Sequence, residues 1–137
     1  MIKNTTPIAT NMMQSIIMMA QGYDPDTADM CFIDGILTAQ RYKDALHCEQ
    51  IRNEERDPHD FFKPKIIKPS WSLPALLSLL PRGNTTVFHL CMEASANPNI
   101  YHLWDSLLMS PGFKSEAAVE AVFMGLIWLT FNRDKIK

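Results

Sequence analysis

The stretch Pro69-Ser-Trp-Ser-Leu-Pro-Ala-Leu-Leu-Ser-Leu-Leu-Pro81 marks one short helix with a clear start and a clear end. Ser72 is a favourable N-cap, and Trp71 and Leu76 stand at the spacing of a hydrophobic staple around it. Proline cannot continue a helix, so Pro81 ends the segment. The apolar positions form one stripe: Leu73, Leu76, Leu77 and Leu80. This helix carries no reactive side chains, but it sets the order of the C-terminal half: a helix, a hairpin and a final apolar helix.

Two segments of alternating character follow that helix. Residues 85–94 and 100–108 alternate polar and apolar side chains with a period of two, and residues 95–99 are rich in loop-forming types. This pattern predicts an antiparallel β-hairpin whose loop is residues 95–99.

The last apolar segment predicts a helix from Ser115, a favourable N-cap, to about residue 132. Few polar residues interrupt the run from Ala117 to Phe131. A helix of this kind cannot keep one face in water. We therefore expect it to be central in the fold or shared with a second subunit, as in a homodimer.

A first helix is predicted at about residues 7–21. Thr6 and Pro7 have the character of an N-cap and a first helical residue, and Gly22 suits the left-handed end of a helix. Methionine fills irregular cores and also serves promiscuous binding surfaces, and the core role is favoured here. The methionines of this segment are Met12, Met13, Met18 and Met19.

The next elements are less regular. A second helix is predicted from about residue 28 to residue 55, and a competing interpretation places a short strand at residues 30–33. Three prolines exclude helix in the connector at residues 57–69. Within it, Ile66 and Ile67 can add a short edge strand.

These elements predict an α+β fold of about four helices packed with an antiparallel β-hairpin, with a third short edge strand as an option. Residues 1–137 are expected to form a single domain, with a helical part at 1–56, the connector at 57–69 and a helix–hairpin–helix part at 70–137. The expected core is apolar: Trp71, Leu73, Leu76, Leu77, Leu80, Phe88, Leu90, Trp104, Val119, Val122, Phe123, Leu126 and Ile127.

Composition narrows the function. The 137 residues carry a formal net charge of −2, which gives no reason to expect nucleic acid or an anionic membrane as a partner. Three widely spaced cysteines, Cys31, Cys48 and Cys91, do not make a disulfide framework. No apolar run approaches the ~20 residues of a membrane-spanning helix, and no signal peptide is recognised. The expected location is the cytoplasm.

One arrangement on the predicted hairpin has catalytic parts. The predicted register pairs Ala94 with Ile100. His89 then lies opposite Asp105, and Cys91 lies on the same face two residues further on. Asp105 can orient His89, and His89 can activate Cys91 as a nucleophile. The plainer interpretation, an exposed His–Asp pair beside a small filler cysteine, is favoured, so no catalytic residue is expected.

Metal-ligating residue types occur elsewhere without the spacing of a metal site. His47-Cys48-Glu49 and Asp57-Pro58-His59-Asp60 lack the paired ligands that zinc sites show. His102 falls on the predicted apolar face of the hairpin and is interpreted as a core histidine. We therefore expect no metal and no cofactor.

Residues 69–81 are followed by the predicted hairpin and by the predicted helix at 117–129, Ala-Ala-Val-Glu-Ala-Val-Phe-Met-Gly-Leu-Ile-Trp-Leu. This order of elements resembles a group of small uncharacterised proteins from prophages and mobile elements of gut bacteria. The resemblance covers about residues 69–130 and rests on Trp71, the leucine stripe and the last helix. It implies a phage-type accessory protein in the cytoplasm. The group has no known activity, so the resemblance transfers no site residues.

Two functions are compatible with these observations. The favoured one is a small non-enzymatic accessory protein that binds another protein or a second copy of itself, because the last helix is too apolar for a free surface. The alternative is a small enzyme or ligand-binding protein that uses His89, Cys91 and Asp105 on the hairpin.

Overall fold

A computed structural model describes residues 7–59, 61, 63–81, 87–93, 100–106 and 110–132. This part of the chain contains four α-helices and two three-stranded antiparallel sheets, so the fold class is α+β as predicted. The elements are α1 Met12–Ala20, β1 Met30–Ile33, β2 Ile36–Thr38, α2 Tyr42–Glu55, β3 Ile67–Ser70, α3 Leu73–Ser78, β4 Phe88–Glu93, β5 Ile100–Asp105, β6 Phe113–Ser115 and α4 Ala118–Asn132.

Two compact units divide the chain. One is Asn11–Ser72, and the other combines Met1–Thr10 with Leu73–Lys137. We call them the N-terminal unit and the C-terminal unit. The single-domain organisation expected from the sequence stays a prediction. No helix among the described residues has the length and apolar character needed to cross a membrane.

Helix α1 begins later than predicted. Its N-cap is Asn11, whose side chain accepts a hydrogen bond from the Gln14 backbone N–H at 2.8 Å, while the Gln14 side chain accepts from the Asn11 N–H at 3.0 Å. This reciprocal capping box satisfies two donors that a helix start leaves open. The predicted start at Pro7 is therefore wrong, and Thr6 lies outside the described residues. Gly22, with φ +93°, follows the helix as expected.

The predicted helix at residues 28–55 is wrong in its first half, where β1 and β2 form a hairpin. Asp34 and Gly35 connect them with φ values of +50° and +83°. A two-residue turn with both residues in the left-handed region is type I′, whose twist suits a hairpin and whose favoured sequences include Asp-Gly. The competing strand at residues 30–33 coincides with β1.

The connector ends in β3, which pairs with β1, so the sheet order is β2-β1-β3. The edge strand differs from the predicted one: it covers Ile67–Ser70 without Ile66, and it joins this sheet rather than the C-terminal hairpin. Carboxylates hold both of its ends. Asp34 accepts from the Ile66 N–H at 2.9 Å, and Asp29 accepts from the Ser72 N–H at 2.9 Å and from its hydroxyl. Trp71, fully buried, donates from Nε1 to the Thr27 hydroxyl at 2.9 Å.

The second sheet, with order β4-β5-β6, belongs to the C-terminal unit, where α4 packs on β5, β6 and α3. The approach of α4 to the sheet is close: a β-carbon at Gly125 would stand 2.4 Å from Leu103 Cδ2. The predicted N-cap Ser115 is instead the last residue of β6, and α4 begins at Ala118; the Ser115 hydroxyl accepts from the Ala117 N–H at 3.1 Å between the two elements. Strand β6 is not predicted by the sequence.

Part of the predicted core is buried: Trp71, Leu76, Leu80, Val119, Val122 and Leu126. The other members are half-buried: Leu73, Leu77, Phe88, Leu90, Trp104, Phe123 and Ile127. Two of these, Phe88 and Leu90, lie on β4, the strand that α4 does not cover.

Candidate functional site

The register of the β4–β5 hairpin differs from the predicted one by one residue. Glu93 pairs with Ile100, whereas the sequence analysis paired Ala94, which lies outside the described residues, with Ile100. His89 therefore lies opposite Trp104, and Cys91 lies opposite His102. Because side chains alternate between the faces of a strand, this shift changes which residues of β5 share a face with His89 and Cys91.

The three catalytic candidates do not come together. His89 and Cys91 are exposed on the outer face of the sheet, away from α4. Asp105 pairs with Phe88, so it lies on the opposite face, fully buried. There its carboxylate accepts from the Ser110 N–H at 2.9 Å and from the Ser110 hydroxyl at 2.6 Å. The predicted contact between His89 and Asp105 is thus wrong, and Asp105 binds Ser110 instead.

The remaining residues of the outer face are engaged with one another. The His89 ring stacks on Trp104 with centroids 4.4 Å apart. The Cys91 thiol donates to the His102 carbonyl at 3.7 Å. Lys114 and Glu93 form an ion pair at 3.2 Å. These contacts give each side chain a structural role in holding the strands together.

His102 is not the core histidine that the sequence suggested. It is half-buried on the outer face, next to Gly112. A β-carbon at Gly112 would stand 2.8 Å from His102 Nε2, and Gly112 itself has φ +81°. Both the ring and the backbone conformation therefore favour glycine at this position.

The other residues of metal-ligating types lie in the N-terminal unit, where several of them make structural hydrogen bonds. Cys48 accepts from the Gln40 amide at 3.6 Å, and the His59 N–H donates to Asp57 at 2.9 Å in a turn. Asp60 lies outside the described residues. Within the described ranges, no three His, Cys, Asp or Glu side chains gather in a way that can hold a metal ion.

Glu49 ties helix α2 to the connector. Its carboxylate pairs with the Arg52 guanidinium at 2.7 and 3.0 Å and accepts from the Lys65 N–H at 2.6 Å. The hydrogen bonds from Arg52 and then from the Lys65 backbone lower the pKa of Glu49 from 4.5 to about 2. Beside it, an open cleft of ≈ 480 Å³ lies between α2 and the residues that lead into β3.

The free edge of the second sheet is strand β4. The Ser106 N–H donates to the Val87 carbonyl at 2.9 Å, so Val87 and Ser106 form a hydrogen-bonded pair. Such pairs alternate along an antiparallel ladder, so the backbone groups of Phe88, Leu90 and Met92 point away from β5. Among the described strands, β4 has β5 as its only neighbour.

Comparison of the chain with protein-family models, with curated proteins and with solved structures found no match.

Proposed function

We propose that this protein is a small non-enzymatic accessory protein that acts by binding protein chains through the open edge of β4. The observation that supports this most strongly is the row of outward-pointing N–H and C=O groups on Phe88, Leu90 and Met92. Such a row is a template for an added strand.

The side chains of the same strand support the proposal. Val87, just before β4, is 50% exposed, and Met92 is 46% exposed, while Phe88 and Leu90 are half-buried. Sheets usually protect an edge with lysine, proline or a very short strand. Strand β4 has six residues and contains neither lysine nor proline.

The alternative of a small enzyme or ligand-binding protein has less support. It needs His89, Cys91 and Asp105 on one face, and Asp105 lies on the other face of the sheet. The exposed His89 and Cys91 interact with Trp104 and His102, which stabilise the hairpin.

The biological setting is a further part of the proposal. The resemblance of residues 69–130 to proteins of prophages and mobile elements supports a phage-type role. The free thiols of Cys31, Cys48 and Cys91 fit the reducing cytoplasm. The genes beside this one test the setting: a neighbourhood without phage or mobile-element genes would contradict it.

The test of the binding surface is a proline on the open edge. Met92→Pro removes one outward N–H and leaves the β4–β5 ladder intact, because that N–H does not face β5. Sedimentation velocity over a range of concentrations should show association of the wild type and of the control Met92→Ala. Met92→Pro should associate at least about tenfold more weakly. A proline variant that associates as well as the wild type would contradict the proposal.

A further inference from the structure

We infer that the partner of the β4 edge is the β4 edge of a second copy of this chain, paired antiparallel and centred on Leu90. The two three-stranded sheets would then form one continuous sheet. This inference rests on the proposed function, since it names the partner and the register of the same edge.

The direction of the backbone groups restricts the register. Only Phe88, Leu90 and Met92 can form ladder bonds across the open edge. With Leu90 at the centre, Leu90 lies opposite Leu90 of the second copy. Phe88 of each copy lies opposite Met92 of the other, so this pair occurs twice. All three outward residues of both strands are then used. A centre at Cys91 would move Phe88 beyond the end of the partner strand, and a centre at His89 would do the same to Met92.

The side chains favour the same register. Helix α4 packs on β5 and β6, and this leaves Phe88, Leu90 and Met92 incompletely covered on the inner face. Pairing about Leu90 places each phenyl ring against a methionine, a contact in which the thioether is attracted to the ring. The pairing therefore completes the burial of side chains that one copy leaves partly in water.

No like charges meet in this arrangement. The only charged residue of β4 is Glu93, and it lies opposite Val87 of the second copy. On the outer face, His89 lies opposite Cys91 of the second copy. Like charges directly opposite each other would destabilise a strand pair, and none occur here.

The His89–Cys91 neighbourhood gives a test of the register by disulfide formation. In the proposed pairing these positions form a non-hydrogen-bonded pair, with Cα atoms about 4.5 Å apart. A disulfide needs Cα atoms about 4.4–6.8 Å apart. His89→Cys should therefore link to Cys91 of the second copy under mild oxidation. The variant is made with Cys48→Ser, because Cys48 is the other exposed thiol.

Two matched control variants distinguish the proposed register from the two neighbouring registers. In the same Cys48→Ser background, Cys91 alone tests a centre at Cys91, and His89→Cys with Cys91→Ser tests a centre at His89. In the proposed register these like residues are diagonal neighbours, about 7–8 Å apart. The cross-linked dimer on a non-reducing gel should therefore be at least about tenfold more abundant for His89→Cys with Cys91 present than for either control.

Each outcome has a distinct meaning. Stronger cross-linking in a control would overturn the register. Association that Met92→Pro abolishes, without a cross-linked dimer in any variant, would overturn the pairing centred on Leu90 while the proposed function stands. A monomer at all concentrations would overturn the pairing of two copies. His89 and Met92 are exposed, so thermal unfolding followed by circular dichroism should show all variants folded.

Discussion

The sheets β2-β1-β3 and β4-β5-β6 each have three antiparallel strands, but their edge strands differ in length and composition. In the first, β2 has three residues and β3 contains Lys68 and Pro69. In the second, β6 has three residues and contains Lys114, whereas β4 has six residues without lysine or proline. Three edges therefore carry lysine, proline or a short strand, and β4, whose only charged residue is Glu93, carries none of these three features.

The two sheets also differ in how their ends are fixed. Asp34 and Asp29 bind the backbone on either side of β3, and Trp71 is fully buried directly after it. On β4, Val87 is bound by Ser106, yet Phe88 and Leu90 are only half-buried. The difference is what the proposed pairing requires: β3 is fixed within one chain, and the half-buried residues of β4 would gain burial from a second copy.

The largest expected effect is at Trp71, which tests whether β3 ends in a complete core. Trp71→Ala should lower the free energy of unfolding by about 3–5 kcal/mol, since it removes a fully buried indole. Leu90→Ala should cost only about 1 kcal/mol in the monomer, because the side chain is half-buried. Urea unfolding at low protein concentration measures both. Equal losses would contradict the difference between the two sheets.

Gly125 tests how closely α4 packs on the second sheet. Gly125→Ala should destabilise the protein by about 1–3 kcal/mol, since a β-carbon would stand 2.4 Å from Leu103 Cδ2. In a Leu103→Ala background the loss should disappear, because the opposing atoms are gone. Urea unfolding of the four proteins in this cycle measures the coupling. An equal loss in both backgrounds would show that the contact is not the cause.

Gly35 tests the turn that sets the first sheet. Its φ is +83° and a β-carbon would meet nothing within 4 Å, so the cost of Gly35→Ala is that of the backbone alone. We expect a loss of about 1–2 kcal/mol in urea unfolding. Gly35→Asn should cost less, because asparagine tolerates the left-handed region. A larger loss for asparagine than for alanine would contradict the turn assignment.

Glu49 tests how the connector before β3 is held. Since folding lowers the pKa of Glu49 from 4.5 to about 2, its contribution to stability is full above pH 4.5 and is lost as the pH falls toward 2. The wild type should therefore be more stable than Glu49→Gln at pH 7. The difference in stability between the two proteins should shrink as the pH falls from 4.5 toward 2. Glu55→Gln, an exposed change on the same helix, serves as the control. Thermal unfolding at a series of pH values measures the difference, and a constant gap would contradict the ionic contact.

Much of the C-terminal unit could be predicted from the sequence, because its signals are local. Ser72 and Pro81 flank α3, β4 and β5 alternate polar and apolar residues, and α4 is one apolar run, so each signal lies within or next to the element that it predicts. The N-terminal unit was harder to predict. The Asp34-Gly35 signal for a hairpin stands inside a segment free of proline, whose apolar spacing also favours a helix.

The candidate site could be predicted only as a set of residues. Alternation fixes which residues of β4 share a face, but the register with β5 depends on the loop and the packing. A shift of one residue moved Asp105 to the buried face and brought Trp104 and His102 beside His89 and Cys91. The open edge has no signature in composition, because it depends on which strand lies at the end of the sheet.

Amide hydrogen exchange at Leu90 and Met92 tests the account of the open edge most directly. In a dilute monomer these N–H groups face away from β5 and should exchange quickly. As the protein concentration rises they should become protected together, while the amides of Lys68 and Ser70 on β3 keep constant rates. Exchange at Leu90 and Met92 that is slow in the monomer, or that does not change with concentration, would contradict the account.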